Sequence, residues 1–236
     1  MSKPRQHDSE PVDAQVPVVV PESRGLPDSG PESVPEAVTE RTASATARAS
    51  ALDRIRGALR GVFLRQGYAG ASIASLAAAS ELGKASLYHH FPGGKIDMGR
   101  AVVREAVAKL QQAVSGPSKQ RKKGKADASD RLLGLVDAFS SYVGHGREPC
   151  LLATFALENA SAVDREQLAR QFEHWRAQVA FEFEALGFST KASRKRAERL
   201  FADLYGYLCL GTLCNEPEVF VRGTKQLRRE IKKLCG

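Results

Sequence analysis

From Thr46 to the end of the chain, apolar residues recur three and four positions apart, and strand-like alternation never becomes established. That spacing lines apolar side chains along one face of a 3.6-residue helix, so the sequence predicts an all-α protein. The stripe Leu52, Ile55, Leu59, Val62 and Phe63 marks a helix over 47–66 that Gly67 stops. Ser72 is suited to cap a short second helix that turns Ile73, Leu76 and Ala77 inward before the chain bends near Glu81. A third helix covers 84–90 and ends at Pro92-Gly93-Gly94, and a fourth runs from Lys95 to Val114 and closes at Gly116-Pro117. Further helices are expected at 129–144, 149–160, 164–186, 191–214 and 217–234. Their starts are marked by Ser129 or Asp130, by Asp164 and by Ser189-Thr190, and breaks fall at Gly144, Gly146 and Gly187.

Residues 1–46 lack this period. Repeated Pro, Ser, Glu and Gly with few large apolar residues predict a disordered, acidic, Pro-rich tail. Charge divides along the same boundary. Residues 1–47 hold four Lys/Arg against eight Asp/Glu, or −4, which leaves +12 on the remainder of a chain whose total is +8. A body this basic suits a polyanion, although a solvated basic face would read the same way.

At 236 residues the chain can bury a sizeable core without help from metals or disulfides. Cys150, Cys209, Cys214 and Cys235 show no paired ligand spacing, and Cys209 and Cys214 project to different helix faces beyond disulfide reach. They are expected to be reduced and packed as small apolar residues. No run approaches the ~18 apolar residues of a membrane span, and no basic start leads into an apolar stretch with a cleavage site. The expected location is the cytoplasm.

Residues 84–95 read KASLYHHFPGGK. Leu82, Leu87 and Phe91 are spaced to fall inward, and Ala77 offers a small surface for close helix approach. Lys84, Ala85, Ser86, Tyr88 and His89 are left facing outward, with chemistry suited to base edges and phosphates. That is the division of labour of a helix-turn-helix whose second helix lies in the major groove of DNA. The amides near Ser72 and near Gly94-Lys95, with Lys95 itself, are candidate phosphate clamps. Between residues 48 and 100, eight Lys/Arg against three acids give a local charge of +5.

The same segment does not support other chemistry. Adjacent histidines on a helix point about 100° apart and cannot converge on one ion, so His89 and His90 suggest no metal site, with one outward and the other partly packed. Ser86 sits mid-helix with neither a strained elbow nor a partner base. No catalytic residue and no cofactor are assigned. KQRKKGK at 119–125 reads as an exposed basic loop, either solubilising charge or a nucleic-acid contact.

Residues 55–95 resemble the N-terminal DNA-binding domain of TetR-family transcriptional regulators. The resemblance rests on Phe63, Gly67-Tyr68, Ser72-Ile73, Leu76-Ala77, Leu82, Leu87-Tyr88, Phe91 and Lys95 at fixed spacings. The SLYHHFPGGK segment is similar to a subgroup associated with drug or small-molecule response. Two positions depart from the pattern: Glu81 stands where the family usually has a turn glycine, and Gly83 where it has a capping serine. A glutamate there is expected to require a helical or otherwise non-glycine turn, and it places an acid near DNA.

Behind the tail at 1–46 that composition marks, the resemblance implies a helix-turn-helix DNA-binding domain at 47–115 and a helical effector-binding and dimerisation domain at 116–236. It also implies a cavity for a small-molecule effector, for which Phe155, Phe172, Trp175 and Tyr207 are the candidates, and a homodimer built on the helices at 164–186 and 191–214. Its implied function is that of a repressor reading a palindromic operator in double-stranded DNA and released by an effector. Two rivals carry no motif of similar specificity. One is a helical dimeric adaptor without specific DNA binding. The other is an enzyme using His145, Glu148, Glu158 and His174, which share no catalytic spacing.

Overall fold

The computed structural model describes residues 36–115 and 124–234, with side chains from Ser50 onward apart from Ala126. The chain divides into two units, residues 1–44 and 45–236, and the second holds all the described side chains. The described residues are helical, without strands: α1 (Glu36–Gly70), α2 (Ile73–Ser80), α3 (Lys84–His90), α4 (Lys95–Ser115), α5 (Lys125–Tyr142), a 3₁₀ turn at Gly144–Gly146, α6 (Leu151–Leu157), α7 (Arg165–Ala185), α8 (Thr190–Leu213) and α9 (Glu218–Lys233).

Two boundaries correct the sequence-based expectation. Helix α1 opens at Glu36 rather than near Ala47, because EAVTERTASATARAS is rich in alanine and contains neither Pro nor Gly to stop a helix. Disorder is therefore not found over 36–46, and the rest of that expectation falls on residues 1–35, outside the described residues. Helix α5 begins at Lys125 behind Gly124, earlier than the expected Ser129 or Asp130; Asp127 in its first turn favours the helix dipole, and Ser129 is buried inside the helix. Most of the basic loop, residues 119–123, also lies outside the described residues.

Other signals act where expected. Asp164 caps α7 by accepting the Gln167 N–H at 2.9 Å, and Ser189 caps α8 through the Ala192 N–H at 3.4 Å. Gly67 interrupts α1 with φ 70° and ψ 176°, a conformation open to glycine. The apolar faces meet in one core. Leu59, Phe63, Leu76, Leu87 and Met98 fill the N-terminal end, and Leu132, Leu152, Phe155, Trp175, Leu204 and Phe220 fill the C-terminal body. Helix α4 leaves the N-terminal end and packs on α5, α6 and α7; α7 packs on α8, and α8 on α9.

The cysteines correct a further expectation. Cys150 is buried, but Cys209 and Cys214 are exposed, because they lie on and just beyond the outer face of α8 that no described element covers. Cys235 is outside the described residues.

Candidate nucleic-acid interface

Helix α2 begins on a reciprocal cap. The Ser75 N–H donates to Ser72 Oγ at 3.0 Å, and the Ser72 N–H donates to Ser75 Oγ at 3.1 Å. The helix ends on Glu81 at φ 56° and ψ 24°, the left-handed conformation. The Leu82 N–H donates to Ala77 O at 3.2 Å and the Glu81 N–H to Ala78 O at 3.3 Å, the paired bonds of a Schellman turn. This corrects the expectation of a non-glycine turn. The tight angle between α2 and α3 demands the glycine conformation, and glutamate adopts it at a cost of about 1–2 kcal/mol.

Helix α3 has seven residues and is far too short to stand alone. It is held by Leu87, fully buried, and by Phe91 and Leu82 packing at its ends. Lys84, Ala85, Ser86, Tyr88 and His89 are all exposed on the remaining faces. His90 is exposed as well, against the expectation that one histidine would be packed, because the two anchors Leu87 and Phe91 already occupy the buried side. The His89 and His90 rings stand 5.7 Å apart, and no cluster of three or more His, Cys, Asp or Glu suited to a metal occurs among the described residues.

The candidate clamps are partly committed to the fold. The Lys95 ammonium donates to Ala69 O at 3.2 Å and Ala71 O at 3.0 Å, and lies 4.8 Å from the centre of the Tyr68 ring. Two of its three protons therefore fasten α4 to the corner before α2, and one is left for a phosphate. Gly94 N–H donates to Phe91 O at 2.8 Å, so the unbonded amides at this end belong to the first turn of α4. The Ser72 hydroxyl is exposed but engaged in its cap. Among the basic residues, Arg60 turns from the interface to Glu148 at 2.7 Å and Tyr142 O at 3.3 Å.

The interface is fixed to the C-terminal body at one corner. Glu158 Oε2, just after α6, accepts the backbone N–H of Tyr68 at 2.7 Å and of Ala69 at 3.0 Å. The Tyr68 hydroxyl is 2.9 Å from Ser161 Oγ. Phe155 stands edge-on to both Phe63 and Tyr68, with ring centres 5.2 Å apart in each case. A Cβ at Gly99 would lie 2.5 Å from that of Ala162, so α4 crosses this loop in contact only as glycine. Sequence reasoning missed this corner because its partners are about ninety residues apart in the chain.

The effector candidates are distributed. Phe172 and Trp175 meet with ring centres 4.9 Å apart, and Phe172 lines a cavity of about 370 Å³ with Leu152, Leu168 and Tyr205. Burial pushes the Tyr205 phenol well above its usual range, reinforced by the Cys150 thiol 3.5 Å away. Phe155 faces the Tyr68 corner, and the Tyr207 ring lies against Gly223 of α9. Of the four polar residues named for the enzyme reading, Glu148 pairs with Arg60, Glu158 accepts from the corner amides, His145 Nδ1 lies 3.0 Å from Ser140 Oγ, and His174 is exposed.

With this geometry in view, residues 55–102 match the family model described as bacterial regulatory proteins, tetR family. The chain is 33% identical over 121 residues to the HTH-type transcriptional repressor DhaR of Mycobacterium sp. (strain GP1), a match covering 48% of this chain and 56% of that one. It thus spans little more than half the length of that relative. The fold extends further. A TetR transcriptional regulator from Legionella pneumophila superposes with a TM-score of 0.62 at 24% identity, over 76% of this chain and 94% of that chain. The regulatory protein TetR from Rhodobacter sphaeroides does so with 0.61 at 19% identity, over 76% and 97%. The likeness of fold therefore continues beyond the matched segment into the helical body. Among the described residues, no helix is long and apolar enough to cross a membrane.

Proposed function

We propose that the chain is a sequence-specific, non-enzymatic DNA-binding transcriptional regulator of the cytoplasm, acting as a homodimer and as a repressor that a small molecule releases. The observation that carries this reading is helix α3: Leu87 and Phe91 hold it while Lys84, Ala85, Ser86, Tyr88 and His89 are exposed side by side. Arg and Lys side chains at such a surface fix register on phosphates, and the hydroxyl, phenol and imidazole read base edges. The likeness to DhaR, a transcriptional repressor, supports the same direction.

A second copy belongs to the proposal on physical grounds. One seven-residue helix reads a few base pairs, whereas two related by a two-fold axis read a palindrome. The outer face of α8 carries Ala202, Gly206, Cys209, Leu210 and Leu213, all exposed, and Phe181 of α7 is exposed as well. An apolar stripe of small and large residues on packed helices suits a four-helix bundle with its copy. Effector release is then a change in the spacing of two headpieces, transmitted through the Glu158–Tyr68–Ser161 corner. A hundredfold loss of operator affinity needs about 2.7 kcal/mol of differential ligand binding. The finer resemblance of SLYHHFPGGK to a drug-responsive subgroup, and Phe155, Phe172, Trp175 and Tyr207 as the effector contacts, belong to the same proposal.

The test is fluorescence anisotropy with tiled duplexes from the region upstream of the coding sequence, titrated with salt, beside scrambled duplexes and a Tyr88→Ala variant. Selective binding of two protomers per site, weakened about 10- to 100-fold in the variant, is the expected result. Equal, weak binding to every duplex that vanishes at physiological salt would move the dimeric-adaptor reading to the front.

A further inference from the structure

A cleft of about 510 Å³ lies between one face of α4, the loop after α6 and the first two turns of α7. Along α4 its lining is Arg100, Val103, Arg104, Val107, Ala108 and Gln111, a single helical face spanning about 16 Å at 1.5 Å per residue. Opposite stand Asp164, Gln167, Leu168 and Gln171, and Ser161, Ala162 and Val163 close the end nearest the headpiece. The volume falls in the ~300–1,000 Å³ range of small-molecule sites.

Its polarity is ordered along its length. Arg100 and Arg104 stand at the headpiece end, valines and Leu168 form the middle, and glutamines occupy the far end. Among the described residues Arg104 has no ion pair or hydrogen bond. Arg100 reaches Asp97 only at 3.8 Å. Asp164 is the one acid in the lining, and its Oδ1 is already bonded to the Gln167 N–H. Two guanidiniums against one committed carboxylate leave the cleft cationic at its headpiece end, next to the apolar middle.

We infer that this cleft binds an organic carboxylate, its anionic head on Arg104 and Arg100 and its apolar body along Val103, Val107 and Leu168. The two ends of the cleft also carry its readout. At the arginine end, Ser161 holds the Tyr68 hydroxyl at 2.9 Å and Ala162 abuts Gly99, so a ligand that shifts this loop moves the corner from which α2 and α3 depart. At the glutamine end, Gln111 Oε1 accepts the indole N–H of Trp175 at 2.7 Å and an amide N–H of Gln171 at 2.9 Å. Trp175 is the only tryptophan in the chain, so its emission reports on the cleft through its bond to Gln111.

The consequence for DNA rests on the regulator reading proposed above, whereas binding to the cleft does not. The experiment therefore measures both with the full chain. Trp175 emission and calorimetry are followed with decanoate and phenylacetate, beside decanol and decyltrimethylammonium, in the wild type, Arg104→Gln and Arg100→Gln/Arg104→Gln. Circular dichroism melting verifies that both variants stay folded, as expected for exposed positions. The expected result is that at least one carboxylate binds, that its affinity falls about tenfold or more in Arg104→Gln and further in the double variant, and that decanol is insensitive to either change. Absence of binding by both carboxylates, or carboxylate affinity unchanged in the variants, overturns the assignment. Anisotropy with the operator duplex then separates the two proposals. Carboxylate binding without any selective DNA binding overturns the regulator while the cleft assignment stands. Selective DNA binding with arginine-independent carboxylate affinity overturns the cleft assignment alone.

Discussion

Helices α3 and α8 are built by the same rule and finish with opposite surfaces. Helix α3 is seven residues long and buries Leu87 alone within its span, while α8 has 24 residues and buries Ala197, Leu200, Phe201, Leu204, Leu208 and Gly211. What remains outside is polar and aromatic on α3, with Lys84, Ser86, Tyr88 and His89, and apolar along the C-terminal half of α8, with Ala202, Gly206, Leu210 and Leu213, whereas the first turns of α8 expose Lys191, Arg194, Lys195, Arg196, Glu198 and Arg199. The difference teaches that the buried face of a helix reports how it is held, and the unburied face reports what it meets. In the function proposed above, the first surface meets a hydrated polyanion and the second meets a copy of itself.

Breaking the α8 surface should give the largest effect. Leu210→Asp/Leu213→Asp places two charges on residues 50% and 76% exposed, so the fold should persist while the dimer dissociates. Sedimentation should return a monomer, and operator affinity should fall about 1,000-fold toward non-specific binding. A dimer that survives this change would remove α8 from the comparison.

Leu87→Ala attacks the buried side of α3 instead. The loss should be about 2–5 kcal/mol, concentrated in the headpiece, and visible as accelerated hydrogen exchange over 72–95 with the α7 and α8 amides protected. Glu158→Gln acts on the link between the two regions. It weakens two charge-assisted bonds to the Tyr68 and Ala69 amides, and a loss of about 1 kcal/mol in headpiece stability is expected by the same exchange measurement.

The smallest effect sharpens the comparison from the other direction. Glu81→Gly relieves a left-handed residue and should raise stability by about 1 kcal/mol in denaturant titration, while removing an acid from beside α3. A loss of stability would mean that the Glu81 side chain contributes more than its backbone strain costs.

The headpiece was largely legible before folding. Ser72 as a cap, Leu82, Leu87 and Phe91 as anchors, and Gly67 as a break are local chemical choices, each read within a few residues. Lys95 shows where that reading runs out. Its charge suggested a phosphate contact, yet two of its protons close the corner by bonding Ala69 O and Ala71 O, carbonyls that only the turn back of α4 brings within reach. Arg60 was likewise counted with the basic surface, and it bonds Glu148, 88 residues away.

By itself, then, the sequence determined the helical periodicity, the caps and breaks, and which face of each short helix is apolar, because these depend on neighbours three and four residues apart. The tertiary structure decided that Glu81 takes a glycine conformation, that Glu158 and Ser161 hold the Tyr68 corner, and that Arg104 and Gln111 share one cleft with Gln171. Those are meetings of residues far apart in the chain, and their energies appear only once the helices have packed and brought the partners within hydrogen-bond reach.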